Sequence, residues 1–118
     1  MKKVLIVEDD KNIALALVIR LRKAGYETFH ASDAVTGTGL AAKHRPNVVL
    51  LDISMPGGNG FDVASRVQNM LGVSAAIIFI TAHKNPLLRQ QAEEAGAVAF
   101  FEKPYDSQQL LSAVASYC

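Results

Sequence analysis

The sequence has a single cysteine, Cys118, so no internal disulfide can form. It has no excess of either charge: 12 Lys and Arg face 11 Asp and Glu, a net charge of +1. That balance argues against a general nucleic-acid surface, which needs a basic excess, and leaves room for a small basic patch at most. No apolar run nears the roughly 18 residues of a membrane span. No cleavable leader opens the chain, because MKKVLIVEDD turns acidic where an apolar segment should continue. There is no linker, low-complexity tract or internal repeat. These absences predict a cytoplasmic chain that contacts neither membrane nor nucleic acid directly.

What is present predicts one domain over 1–118. The length suits a single domain, and half of the residues are apolar, enough for a real core. Val4–Val7 reads as a fully buried strand. Asp10 caps a helix running to about Ala24 and stopped by Gly25, with Ile13, Leu17 and Leu21 at helical spacing. Glu27–Ala31 is a second, weaker strand. Asp33 opens a helix that Pro46 must end, and Gly37 and Gly39 inside it predict a short or soft element.

Val48–Leu51 is the third strand. The loop DISMPGGNG then leads to a helix from about Phe61 to Leu71, closed by Gly72. Ala76–Ile80 is the fourth strand. Asn85 and Pro86 form an N-cap and first helical position, and that helix stops at Gly96. Val98–Phe101 is the fifth strand. Asp106 caps the last helix, with Gln109 three residues on and a Tyr105–Leu110 staple. Five strands alternate with five helices, and the near-continuous apolar strands imply burial on both faces, hence a doubly wound α/β fold, a parallel sheet between two helix layers.

In such sheets, ligands bind beyond the carboxyl ends of the strands. The polar residues fall at that edge. Glu8 and Asp9 follow strand one, Asp52 strand three, Thr81 strand four and Lys103 strand five, while strand two delivers nothing obvious. In the order 2-1-3-4-5, three carboxylates converge and raise one another's pKa values. A hard divalent cation such as Mg²⁺ relieves that repulsion.

Each residue taken alone has a plainer reading. Asp10 is a helix cap, and Glu8 or Asp52 alone would be a cap or solvated loop residue. Thr81 alone would be a β-branched strand end. Lys103 is either a structural ion pair with Asp52 or Asp9, or a clamp for an incoming phosphoryl oxygen. His83 alone is a rim residue, with no second histidine near it in the pattern. Together, the cluster suits an aspartate that attacks phosphorus to give an aspartyl-phosphate, with Thr81, Lys103 and the cation neutralising the spread charge.

VLIVEDD, LLDISMPGGNGFD, FITAH and FFEKPY, in this order, resemble the receiver domain of two-component response regulators, from Lys3 to about Ala115. The resemblance implies a flavodoxin-like sheet of order 2-1-3-4-5. It implies that Asp9 binds Mg²⁺ directly and Glu8 through water, that Asp52 is the phosphoacceptor and a further metal ligand, and that Ser54 gives the metal its backbone carbonyl. Thr81 would bond the phosphoryl group and move toward it, and Lys103 would pair with it. Pro104 would follow a cis peptide. Phe100 would be the aromatic switch, lacking a tyrosine hydroxyl. Ser54 and His83 would tune the lifetime of the phosphoryl group.

The phosphodonor would be a sensor histidine kinase or a histidine phosphotransfer protein. Phosphorylation would change the face of helix four, strand five and helix five. Lys84, Arg89, Gln90 and Gln91, with Tyr105 and Gln109 nearby, would offer a surface there to a downstream protein, or to an output domain outside this chain. An ordinary solvated helix is the equal alternative for that face.

Three other readings stand beside this one. A haloacid-dehalogenase-like phosphatase would carry a second Asp where Ser54 stands. A flavodoxin-like electron carrier would need a Thr, Ser and Gly loop where EDDKN stands. A degenerate receiver would act as a phosphorylation-independent binding module, against which the full set of Glu8, Asp9, Asp52, Thr81 and Lys103 argues. No enzyme is expected beyond metal-dependent self-phosphorylation and autodephosphorylation.

Overall fold

A computed structural model of the chain describes every residue except Pro56, Gly57 and Leu71, and only the backbone of Ser54 and Gly58. Five strands form one parallel sheet: β1 (Lys3–Val7), β2 (Glu27–Ala31), β3 (Val48–Asp52), β4 (Ala76–Thr81) and β5 (Ala99–Glu102). Their order is β2-β1-β3-β4-β5, as the resemblance implies. Five helices alternate with them: α1 (Lys11–Lys23), α2 (Ala34–His44), α3 (Gly60–Gln68), α4 (Pro86–Glu94) and α5 (Ser107–Tyr117).

The apolar strands are continuous because both faces of the sheet are covered. Successive side chains of a strand point to opposite faces. Leu5, Val7, Val49, Leu51, Ile77 and Phe79 pack with Ala34, Ala41, Val63, Ala64, Val67 and Ala92 of α2, α3 and α4. Val4, Ile6, Val48, Leu50, Ile78 and Ile80 pack with Leu17, Leu21, Leu110 and Val114 of α1 and α5. Burying such a side chain contributes roughly 1.5–3 kcal/mol.

The caps seat the helices against this sheet. Asp10 accepts from the amides of Asn12 and Ile13, Asp33 from Thr36, Asn59 from Asp62, Asn85 from Leu87, and Asp106 from Gln108 and Gln109. Tyr105 and Leu110 share the second core cluster.

Several boundaries differ from the sequence reading. Helix α2 is not short. It runs 11 residues, and a Cβ at Gly37 would lie 3.0 Å from both γ-carbons of Val7. The missing side chain is what lets α2 lie against β1. Helix α3 starts at Gly60 and ends at Gln68, so it is shorter than expected at its C-terminus, and the expected last residue, Leu71, lies outside the described residues. Strand β5 sits one residue later than expected and β4 extends to Thr81, both within the usual fraying of element ends. A short antiparallel ladder, Ser54–Met55 with Gly58–Asn59, was not foreseen.

Candidate functional site

Parallel strands end on the same side, so their last residues share one rim. Glu8 and Asp9 follow Val7, Asp52 and Thr81 close β3 and β4, and Lys103 follows Glu102. Register sets their mutual placement: Val7 pairs with Leu51, Asp52 with Ile80, and Thr81 with Glu102. The sheet thus brings residues 95 positions apart into contact. The Lys103 ammonium donates to Glu8 Oε1 at 2.5 Å and to Asp52 Oδ2 at 3.2 Å.

This lysine bridge is largely buried. Glu8 is 3 % exposed and Asp52 6 %, whereas Asp9 is exposed. One carboxylate oxygen from each of Glu8, Asp9 and Asp52 lies within 4.8 Å of the others. Burial raises the pKa of Glu8 to about 7, helped by hydrogen bonding and charge from Asp52 and opposed by Lys103. Burial would lower the Lys103 pKa, but the hydrogen bonds and charges of Glu8 and Asp52 outweigh it and hold it above the ordinary lysine value.

The lysine does not satisfy every acid. Glu8 Oε2 is buried and has no hydrogen-bond partner among the described residues. A buried carboxylate oxygen without a donor is costly. Three carboxylates, one of them with an unsatisfied oxygen, are the donor set of a hard, oxygen-preferring cation, so the residues fit Mg²⁺.

Thr81 is fully buried, and its hydroxyl accepts the backbone N–H of His83 at 3.0 Å. The hydroxyl proton remains available to donate. The His83 side chain is exposed. Phe100 is half-buried, with the Arg89 guanidinium carbon 4.8 Å from its ring centroid. The Lys103–Pro104 peptide is cis. The Ser54 backbone pairs with Asn59, and its side chain lies outside the described residues.

Strand two, where the sequence showed nothing obvious, brings His30. Its Nε2–H donates to the main-chain carbonyl of Glu8 at 2.7 Å. Only the histidine's position near the end of a strand hinted at this, because the contact needs the pairing of β1 with β2.

Comparisons with known proteins point the same way. The family model described as "Response regulator receiver domain" matches residues 4–115. The chain is 33% identical over 116 residues to Sporulation initiation phosphotransferase F of Bacillus subtilis, covering 98% of this chain and 93% of that protein. It is 35% identical over 114 residues to Transcriptional regulatory protein PdtaR of Mycobacterium tuberculosis, covering 96% of this chain but only 55% of that protein. Among solved structures, the CheY-like response regulator receiver domain protein of Methanospirillum hungatei superposes with a TM-score of 0.88 at 26% identity, covering 98% of this chain and 92% of that one. A family match over nearly the whole chain, on a fold whose acids, threonine and lysine meet at one rim, shows that the chain belongs to the response regulator receiver domains of two-component and phosphorelay signalling.

Proposed function

We propose that residues 1–118 form one receiver domain that takes a phosphoryl group on Asp52 and reports it through the face of α4, β5 and α5. The bridge from Lys103 to Glu8 and Asp52, with Glu8 Oε2 left unsatisfied beside it, carries this reading. Glu8 and Asp9, with Asp52 and the Ser54 carbonyl, hold Mg²⁺, the ion that receiver domains use at the phosphorylation site. The bound cation supplies positive charge against the phosphoryl oxygens.

The donor is the phosphohistidine of a sensor kinase or phosphotransfer protein, or a small acyl phosphate. An Asp52 carboxylate oxygen bonds to phosphorus as the bond from phosphorus to the donor's imidazole nitrogen breaks. The imidazole keeps the bonding electron pair and is protonated from solvent. The product is a mixed anhydride on Asp52 carrying about −1.5 to −2 charges. Lys103, already held at Asp52 by 3.2 Å, turns part of its donor capacity to a phosphoryl oxygen. Thr81 donates its hydroxyl proton to another. Hydrolysis by water later resets the switch, at a rate tuned by Ser54 and His83.

The output follows from Thr81. Its hydroxyl is tied to the loop after β4 through the His83 amide, so drawing it toward phosphate moves the start of that loop. Phe100 then turns, and the α4–β5–α5 face changes for a protein target or an output domain. The setting is the cytoplasm, where histidine kinases use ATP.

Intact mass after incubation with Mg²⁺ and acetyl phosphate tests the reading. A gain of one phosphoryl group, lost in Asp52→Asn and in metal-free samples, is the expected result. No gain together with no Mg²⁺ binding would overturn it.

A further inference from the structure

We propose that His30 is a positioning residue for the acidic pair, aiming the Glu8–Asp9 peptide at the metal through the Glu8 carbonyl. The inference rests on the reading of Glu8 and Asp9 as metal ligands.

Glu8 lies just past the end of β1, where ladder pairing stops at Val7 with Ala31. Its peptide is nonetheless held on both sides by β2. The Glu8 N–H donates to the Ala31 carbonyl at 3.0 Å, continuing the ladder one step. Among the described residues, no backbone N–H beyond that point donates to the Glu8 carbonyl; the His30 ring supplies a donor at 2.7 Å. A carbonyl oxygen only accepts, so Nε2 must carry the proton in this contact. Neutral and cationic imidazole both satisfy that requirement.

The consequence is geometric. The peptide between Glu8 and Asp9 is planar, so the direction of the Glu8 carbonyl sets the position of the Asp9 amide and α-carbon. Asp9 is exposed, and the core does not enclose its side chain. Glu8 is the opposite case, buried with Oε1 on Lys103. Holding the peptide between them aims a surface carboxylate at the same point as a buried one. Ligand orientation by an outer hydrogen bond is a general way of raising metal affinity.

The His30 ring is exposed, on an edge strand, so a core-packing role does not account for it. Exposure also limits the effect. A single neutral hydrogen bond corresponds to a change of about three- to tenfold in affinity.

The test compares the parent chain with His30→Phe and His30→Gln. Mg²⁺ affinity is measured by calorimetry, and the Glu8 carbonyl-carbon chemical shift by NMR. Urea unfolding in EDTA reports the fold. His30→Phe keeps a ring and loses the donor; His30→Gln keeps an N–H donor of similar reach. The expected result is Mg²⁺ binding weakened about three- to tenfold in His30→Phe, with a moved Glu8 carbonyl signal and an unfolding midpoint close to the parent's. His30→Gln recovers most of the affinity. Parent-like Mg²⁺ affinity in His30→Phe overturns the positioning role while leaving the acid pair as the metal site. Loss of affinity that only follows loss of the fold, without recovery in His30→Gln, overturns it as well. No Mg²⁺ binding by the parent chain overturns the metal reading itself and this inference with it.

Discussion

The guanidinium of Arg89 on α4 lies over the ring of Phe100 on β5, 4.8 Å from its centroid. This cation–π contact joins two of the three elements of the proposed output face. It fastens Phe100, the proposed aromatic switch, to the helix proposed to respond to it. At such a half-exposed site the contact contributes about 0.5–1 kcal/mol. Arg89→Ala is therefore expected to lower stability by that amount in urea unfolding, without changing the extent of phosphorylation by acetyl phosphate. A loss of phosphorylation would place Arg89 in the acceptor site instead.

Phe100→Ala is expected to separate phosphorylation from output. Phe100 lies on β5 and is not one of the groups proposed to hold the phosphoryl group or the metal, so the mass gain on Asp52 should persist. The phosphorylation-dependent change in affinity for a partner should vanish. An unchanged change in affinity would show that the face responds by another route.

Removing Lys103 leaves two buried carboxylates facing each other. Loss of one partner of a buried ion pair costs about 3–5 kcal/mol, and the slight exposure of the Lys103 side chain argues for the lower end. Lys103→Ala should lower the stability of metal-free protein by about 3 kcal/mol at pH 8. At pH 5.5 the loss should be much smaller, because Glu8 then takes up a proton. Urea unfolding in EDTA at both pH values measures this. Equal losses at the two pH values would contradict it.

Glu8 also links stability to pH in the parent chain. Its pKa is raised from 4.5 to about 7 in the folded state. The folded protein therefore holds a proton that the unfolded chain has already released. The contribution is complete below about pH 4.5, declines as pH rises, and is gone above about pH 7. Metal-free protein should lose stability across that window, and Glu8→Gln should lose less. Mg²⁺, proposed to be held by the ionised carboxylate, should flatten the parent's slope. Identical slopes for parent and Glu8→Gln without metal would remove Glu8 as the cause.

Two glycines should respond in opposite directions to alanine. A Cβ at Gly60 would stand 2.6 Å from the Asp52 carbonyl oxygen and 2.9 Å from the Ile53 α-carbon. Both are backbone atoms, so no side-chain rotation relieves the clash. Gly60→Ala should cost about 1–3 kcal/mol and slow phosphorylation by displacing Asp52. A Cβ at Gly39, exposed inside α2, meets nothing within 4 Å. Gly39→Ala should stabilise by about 0.5–1 kcal/mol. Unfolding free energies of the two variants check both signs.

The fold was legible because its signals are local. Apolar runs marked four of the five strands, Glu27–Ala31 being a weaker signal, and the Asp and Asn caps marked the starts of four of the five helices. Gly25 and Gly96, both at positive φ, stood just past the helices they were expected to end. What the sequence hid was non-local or too short to show a period. The ladder of Ser54–Met55 with Gly58–Asn59 has two residues per strand, so no alternation can announce it. The seating of α2 on the sheet depends on Gly37 fitting against Val7, a contact between distant segments.

The same division runs through the candidate site. Composition, strand ends and motif order by themselves determined which residues reach the rim, since a parallel sheet must deliver its carboxyl ends to one side. Tertiary structure alone decided their state. Only the folded chain buries Glu8 and sets Asp52 beside it, and burial first, then the hydrogen bond and charge of Asp52, lift its pKa to about 7. Only the folded path of the chain gives Lys103 both acids and leaves Glu8 Oε2 without a donor among the described residues. Only strand pairing puts the His30 ring on the Glu8 carbonyl. Residue order can place a charge on an edge, but its energy depends on the solvent and partners left around it, and those exist only once distant segments have packed.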